Sequence, residues 1–146
     1  MPGKTKLKKD DIVLIDMGMK YKGYCSDMTR TFFTGKAKKE YLEIYNIVLK
    51  AQLEALEKIK AGVTGKQADQ YSRQIIENAG YGDAYGHAGG HGVGLDIHET
   101  PSLSENFTKK FNENTIITIE PGIYINSKIG VRIEDMALIT KSGIKN

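Results

Sequence analysis

Cysteine is almost missing from this chain: Cys25 is the one residue of its kind in 146. A lone thiol cannot close an internal disulfide, which suits a reducing cytoplasm. Cys25 reads as a strand residue rather than a nucleophile, because thiol chemistry needs an activating base beside it. Long apolar runs are missing too, and no stretch of about 18 such residues occurs to form a membrane span. The N-terminus carries charge but not the apolar segment of a signal peptide. These absences argue against secretion and membrane insertion, and set the expectation of a cytoplasmic protein. Charge of one sign is also modest. The net charge is +3, and the early lysines Lys4, Lys6, Lys8 and Lys9 read as a solvated terminus ahead of a contact with an acidic partner. No motif for reading nucleic acid follows them. Low-complexity segments and interdomain linkers are likewise not found.

A hydrophobic content of 40% and a charged content of 27% are those of a soluble globular protein. The length allows one domain with a real core, spanning residues 1–146, and is short for two. The pattern opens with two strands, Ile12–Met17 and Tyr24–Phe33, folded through a turn carrying Lys20, Tyr21, Lys22 and Gly23. A turn centred on Tyr21-Lys22 sets Asp16 opposite Asp27, with Cβ atoms roughly 4.5–5.5 Å apart on one face. Two carboxylates that close are costly to desolvate and repel, so one is protonated or cations lie between them.

A helix from about Lys38 to Lys60 follows, with Leu42, Tyr45, Leu49, Leu53, Leu56 and Ile59 or Lys60 as its apolar stripe, laid over a sheet. Thr64 is placed as the N-cap of a second helix that runs to about Ala79 and is closed by Gly80. Its apolar face is Ala68, Tyr71, Ile75, Ile76 and Ala79. All three histidines, His87, His91 and His98, sit in the glycine-rich run after it. That run suits a loop entering a strand at about Gly92–His98, followed by a polar loop from Thr100 to Asn114. Thr115–Asn126 and Val131–Thr140 read as a second hairpin. If its turn centres on Ser127, Glu120 stands opposite Glu134, whereas a one-residue slip puts them on opposite faces.

Asp16, Asp27, Glu120, Glu134 and His91 form a hard, oxygen-rich donor set without thiolate. It suits Mn²⁺, Co²⁺ or Fe²⁺ better than a structural zinc site. Four negative groups balance two divalent cations and a hydroxide, and two metals roughly 3.5–4 Å apart can activate a hydroxide while polarising a carbonyl. Each residue taken singly has a plainer reading. An acid in a strand is usually at an edge or paired with a base, and Arg132 is a candidate partner for Glu134; His91 alone reads as a hydrogen-bonded loop histidine. His87 and His91 have the spacing of the helical zinc motif, but Ala88 and the glycines oppose it. The glycines are not followed by the Lys-Ser or Lys-Thr of a phosphate loop.

VLIDMG, YCSDMTRTF, HGVGLDIHE, TIEPGIYI and VRIED together resemble the catalytic domain of the Xaa-Pro dipeptidases and aminopeptidase P enzymes, members of the pita-bread metallopeptidase family that also includes methionine aminopeptidase. The likeness runs from about Lys8 to Thr140. It implies an α+β fold, an antiparallel sheet covered by helices, and hydrolysis of the bond before proline in short peptides by a hydroxide activated between two divalent ions. Mn²⁺ or Co²⁺ are implied first, with Fe²⁺ or Zn²⁺ as alternatives. By position, the resemblance makes Asp16 a bidentate ligand of one metal, places His91 and Glu120 on the other, and lets Asp27 and Glu134 bridge. Glu120 would also move protons, His87 and His98 would steady the substrate carbonyl and the tetrahedral intermediate, and Arg132 would lie near substrate or ligands. The family's domain carries further helices and a strand ending in a histidine ahead of the position of Met1. The resemblance therefore implies an N-terminally truncated, partial domain prone to form a homo-oligomer or to pair with a complementing chain. Two other readings stand beside the peptidase: a non-catalytic metal-binding or interaction module, and one half of a split enzyme.

Overall fold

The computed structural model describes residues 4–146, and the chain folds as an α+β arrangement whose order is set by two hairpins and two helices. In the first hairpin β1 (Ile12–Met17) runs antiparallel to β4 (Met28–Phe33), and β2 (Lys20–Tyr21) to β3 (Tyr24–Cys25) at its tip. Tyr21 faces Tyr24, so the turn lies on Lys22-Gly23, with φ of 48° and 90°. Positive φ at both central residues matches the twist of paired strands, and glycine is favoured there. The turn is thus one residue later than the expected Tyr21-Lys22, and Asp16 stands opposite Thr29 rather than Asp27. Asp27 falls in the break between β3 and β4, where its N–H donates to Met136 Sδ at 3.2 Å. The register shift is two residues, which preserves the alternation of faces.

Helix α1 (Lys39–Lys58) buries Ile44, Val48, Ala51, Gln52 and Ala55. Of the expected stripe, Ile59 is fully buried and Tyr45, Leu49 and Leu56 pack partly buried against the core, whereas Leu42, 43% exposed, and Leu53, 54% exposed, turn toward solvent. Helical spacing offers two neighbouring stripes here. The one with the alanines faces inward, where small side chains let other elements approach closely. Helix α2 (Gly65–Asn78) begins and ends as expected. Thr64 Oγ1 accepts from Gln67 N at 3.2 Å while Thr64 N donates to Gln67 Oε1 at 3.0 Å, a reciprocal cap. Gly80, at φ 84°, follows its end. Tyr71 and Ile75 are only partly buried, and Ala68, Asp69, Ser72 and Ile76 face inward.

The expected strand Gly92–His98 is replaced by β5 (Gly90–Gly92) and a loop, and part of the expected loop 100–114 is β6 (Glu99–Leu103). Backbone and side-chain donors from the first hairpin hold this loop: Cys25 N reaches Gly94 O, and Lys20 Nζ reaches Leu95 O, both at 2.8 Å. Polar β6 lies at the edge of its sheet, where a proline such as Pro101 is tolerated.

The second hairpin keeps its expected register but divides. β7 (Ile116–Ile119) pairs with β10 (Asp135–Ile139), and β8 (Gly122–Ile125) with β9 (Ile129–Arg132). Ile119 faces Asp135 and Gly122 faces Arg132, so one register runs through both ladders. Both strands cross between sheets at Glu120-Pro121 and Ile133-Glu134, where Pro121 has no N–H to continue the ladder. With β11 (Ile144–Lys145), the larger sheet has the order β11-β10-β7-β5-β6.

Both helices cover one side of this assembly. Ala55, Ile59 and Ala68 pack against Leu103, Ile117, Ile119, Ala137 and Ile139. Ile44, Val48 and Ile76 pack against Ile123, Ile129, Val131 and Ile133. Since alternate strand residues point to opposite faces, Thr118 and Met136 are turned to the other side. Among the described residues, no helix is long and apolar enough to cross a membrane.

Candidate metal centre

The side of the sheets away from the helices gathers the acids and histidines. One donor atom each from Asp27, His91 and Glu134 lies within 4.8 Å of the others. His91 Nε2 is 3.2 Å from Glu120 Oε1 and 3.6 Å from Asp27 Oδ2. Four of the five expected ligands therefore converge, from the hairpin break, β5 and the two strand crossings. Asp16 stands at the rim, its side chain 52% exposed and paired with Arg132. Arg132 is thus the partner of Asp16, not of Glu134 as the sequence spacing suggests.

The orientation of each donor has a cause. His91 N donates to Thr118 Oγ1 at 3.0 Å, and Thr118 Oγ1 donates to Glu120 Oε1 at 2.9 Å. His91 Nδ1 lies 3.0 Å from the carbonyl of Gly92. A carbonyl only accepts, so Nδ1 carries the proton and Nε2 is aimed at the carboxylates, which is how metal-ligating imidazoles are held. Thr29 Oγ1, fully buried, donates to Glu134 Oε2 and accepts from Arg132 Nε at 3.0 Å. Arg132 Nη1 donates to Tyr124 Oη at 2.9 Å, and Tyr124 Oη meets His87 Nε2 at 3.0 Å. His87 Nδ1 lies 2.8 Å from Ala88 O. The consistent assignment runs donor to acceptor from Arg132 through Tyr124 and His87 to Ala88.

Burial pushes the Glu134 carboxyl up to about 7, against the Thr29 hydrogen bond and with help from the charges of Glu120 and Asp27. Burial and then the charge of Asp16 raise Asp27. Burial alone would lower His91, but hydrogen bonds with Glu120 and Gly92 O lift it to about 8. Burial would raise Glu120, and its bonds to His91 and Thr118 hold it below the usual range. Crowded, half-desolvated carboxylates around an imidazole whose Nε2 faces them are the electrostatic signature of a cation site. The residues fit divalent metal ions that prefer oxygen and imidazole donors.

Two clefts open onto the cluster. One of about 400 Å³ is lined by Asp16, Met17, Met19, Asp27, Ile97 and His98. The other, about 360 Å³, is lined by His87, His91, His98, Glu120 and Arg132. His98 borders both, its ring 4.4 Å from that of His91.

Thr29, Thr118 and Tyr124 are not among the residues singled out from the sequence, yet each orients a group named above. The threonines carry a signal of period two: Thr118 precedes Glu120, and Thr29 follows Asp27, by two positions on one strand path. Tyr124 carries the same parity relative to Glu120, four residues on.

The helices and antiparallel sheets form the pita-bread architecture, and its donor set fits divalent metal ions. The model of metallopeptidase family M24 matches residues 1–141, and the chain belongs to that family. A Staphylococcus epidermidis protein named as an uncharacterized peptidase is 51% identical over 97% of this chain. The Xaa-Pro dipeptidase of Pyrococcus furiosus is 49% identical over 96% of it. The solved prolidase from Pyrococcus furiosus superposes with a TM-score of 0.96 at 48% identity, over 98% of this chain and 42% of that one. The chain spans about 40% of the length of the two curated relatives.

Proposed function

We propose that this chain carries the metal centre of a peptidase that hydrolyses the bond before proline in short peptides. The observation that carries the proposal is the convergence of Asp27, His91, Glu120 and Glu134, with Nε2 of His91 turned to the carboxylates by the carbonyl behind it. The printed activities of relatives that are 46–49% identical, Xaa-Pro dipeptidase and putative Xaa-Pro aminopeptidase, support the substrate class. Asp16, Asp27, His91, Glu120 and Glu134 are proposed to hold two divalent ions, Mn²⁺ or Co²⁺ ahead of Fe²⁺ or Zn²⁺. Such ions, when bound, acidify water and polarise a carbonyl. The protein's own groups do the rest. Glu120, at the edge of the cleft, takes the proton of the attacking water and passes it to the departing imino nitrogen of proline. His98 borders the same cleft and donates to the oxygen on which charge gathers, whereas both ring nitrogens of His87 are already engaged by Tyr124 Oη and Ala88 O, so His87 shapes the wall of the cleft. Arg132 orders Asp16 and Tyr124, and through Tyr124 the ring of His87.

The test is hydrolysis of Gly-Pro, Ala-Pro and an Xaa-Pro tripeptide by the purified chain, with Mn²⁺ or Co²⁺ and with chelator. Metal-dependent release supports the proposal, and the preferred length separates dipeptidase from aminopeptidase. Metal binding without release overturns catalysis by this chain alone and leaves a binding module, or half of a split enzyme. Release that survives complete removal of metal overturns the mechanism.

A further inference from the structure

The helical side of the molecule holds a buried ion pair that the centre does not use. Asp69 on α2 is 1% exposed. It pairs side-on with Arg73 one turn later, Nε to Oδ2 at 2.6 Å and Nη2 to Oδ1 at 3.0 Å. A buried pair of this kind recovers little net stability, because both charges must leave water, and apolar groups of similar size often serve as well. Its remaining hydrogen bonds are the informative part. Arg73 Nη1 donates to Tyr85 O at 3.1 Å and Nη2 to His87 O at 2.8 Å. Asp69 Oδ1 accepts from Gly89 N at 3.0 Å. The guanidinium also lies 4.2 Å from the centre of the Tyr85 ring. All of these contacts fall on residues 85–89, the segment that carries His87 and leads directly into the strand bearing His91.

From these contacts we infer that the Asp69–Arg73 pair is a positioning clamp that sets the histidine segment against the acids. Gly89 is the joint. Its N–H is shared between Asp69 Oδ1 and Leu103 O, and its carbonyl accepts from Glu120 N at 2.9 Å. Asp69 is therefore one peptide unit away from the backbone of Glu120. A Cβ at Gly89 would lie 3.1 Å from Asp69 Oδ1 and 3.2 Å from Tyr85 Oη, so the clamp closes tightly on a residue without a side chain. Fixing the carbonyls of Tyr85 and His87 and the N–H of Gly89 leaves this segment little freedom to rotate, and both histidine rings inherit that order. The inference rests on the metal-centre reading for its consequence, though not for its geometry.

The test uses the full chain. In the double variant Asp69→Leu/Arg73→Met both charges go together, so no orphaned charge remains. The expected result is a folded protein whose ¹⁵N-labelled His87 and His91 ring resonances, read without metal, broaden or shift, while His98 changes little. Mn²⁺ affinity, measured by calorimetry with the metal alone, should fall roughly 10- to 100-fold, the range typical for loss of groups that orient ligands. Unchanged His87 and His91 resonances in the folded variant overturn the clamp. If the double variant does not fold, Arg73→Lys keeps the charge and loses the fork; the clamp then requires His87 to shift, and no shift overturns it. If the parent chain binds no Mn²⁺, the metal-centre reading fails while the ring spectra still decide the clamp.

Discussion

Replacing Glu134 by glutamine should make the metal-free protein more stable at alkaline pH. The carboxyl is 1% exposed and sits at about 7 instead of its ordinary 4.5, chiefly through burial. The folded chain therefore holds this proton more tightly than the unfolded chain. Stability from that proton is complete below the unfolded value and is lost as pH rises through the folded one. At about 1.4 kcal/mol per pH unit, the difference is worth roughly 3 kcal/mol once the group is fully ionised. Glutamine keeps an oxygen for the Thr29 hydroxyl and has no charge to desolvate. Urea unfolding followed by far-UV circular dichroism, in chelator, should show the Glu134→Gln variant ahead by up to about 3 kcal/mol at pH 8, and by about half that at pH 5.5. Adding Mn²⁺ at about a thousand times its dissociation constant should reverse the order, because binding then stabilises the parent by about 4.1 kcal/mol. Equal stabilities in chelator at pH 8, or a gap that widens toward acid, would refute the reasoning.

Glu120→Gln is expected to lower peptide hydrolysis by about 100-fold or more while circular dichroism stays unchanged; turnover at the parent rate sinks its role as proton carrier. Ile44→Ala should cost about 2–5 kcal/mol in urea unfolding, whereas Leu53→Ala, at 54% exposure, should cost under about 1 kcal/mol. Equal losses would mean that the exposed stripe of α1 is buried in solution. Gly90→Ala would place a Cβ 2.0 Å from Thr118 O. The expected result is loss of roughly 3 kcal/mol or more, with the amide signals of β5 and β7 disturbed first.

The second hairpin was legible because strand periodicity and one turn position determine which residues face each other. Its register follows from the turn around Ser127, and Glu120 and Glu134 keep their places even though both strands leave one sheet for another between them. The register of the first hairpin is less legible because a two-residue turn depends on which residues adopt positive φ, and Gly23 draws it one step along. Leu42 and Leu53 lie outside the buried face although Ile59, Leu56, Leu49 and Tyr45 of the same stripe contact the core, because hydrophobic counting weighs leucine above alanine, whereas Ala51 and Ala55 fit the close approach. Polar β6 carries no clear strand pattern, since an edge strand needs little apolar content. The acids and His91 stood out by residue type and motif, while Thr29, Thr118 and Tyr124 did not, for common hydroxyl residues become informative only once their partners are known. Asp69 and Arg73 look like an ordinary surface pair at helical spacing until burial shows otherwise.

The single register that runs through β7–β10 and β8–β9 stores information about the centre at a distance. The end of β8 is five positions beyond Glu120, so roughly 17 Å of strand lies between that acid and the start of the turn at Ser127 that aligns it. Composition there is cheap to vary, but length is not. One inserted residue would leave every rung of β8–β9 free to re-pair, yet turn one acid of the pair to the opposite face. This surface turn, which touches no donor, is therefore a point at which drift in chain length would erase the chemistry while leaving the strands able to form.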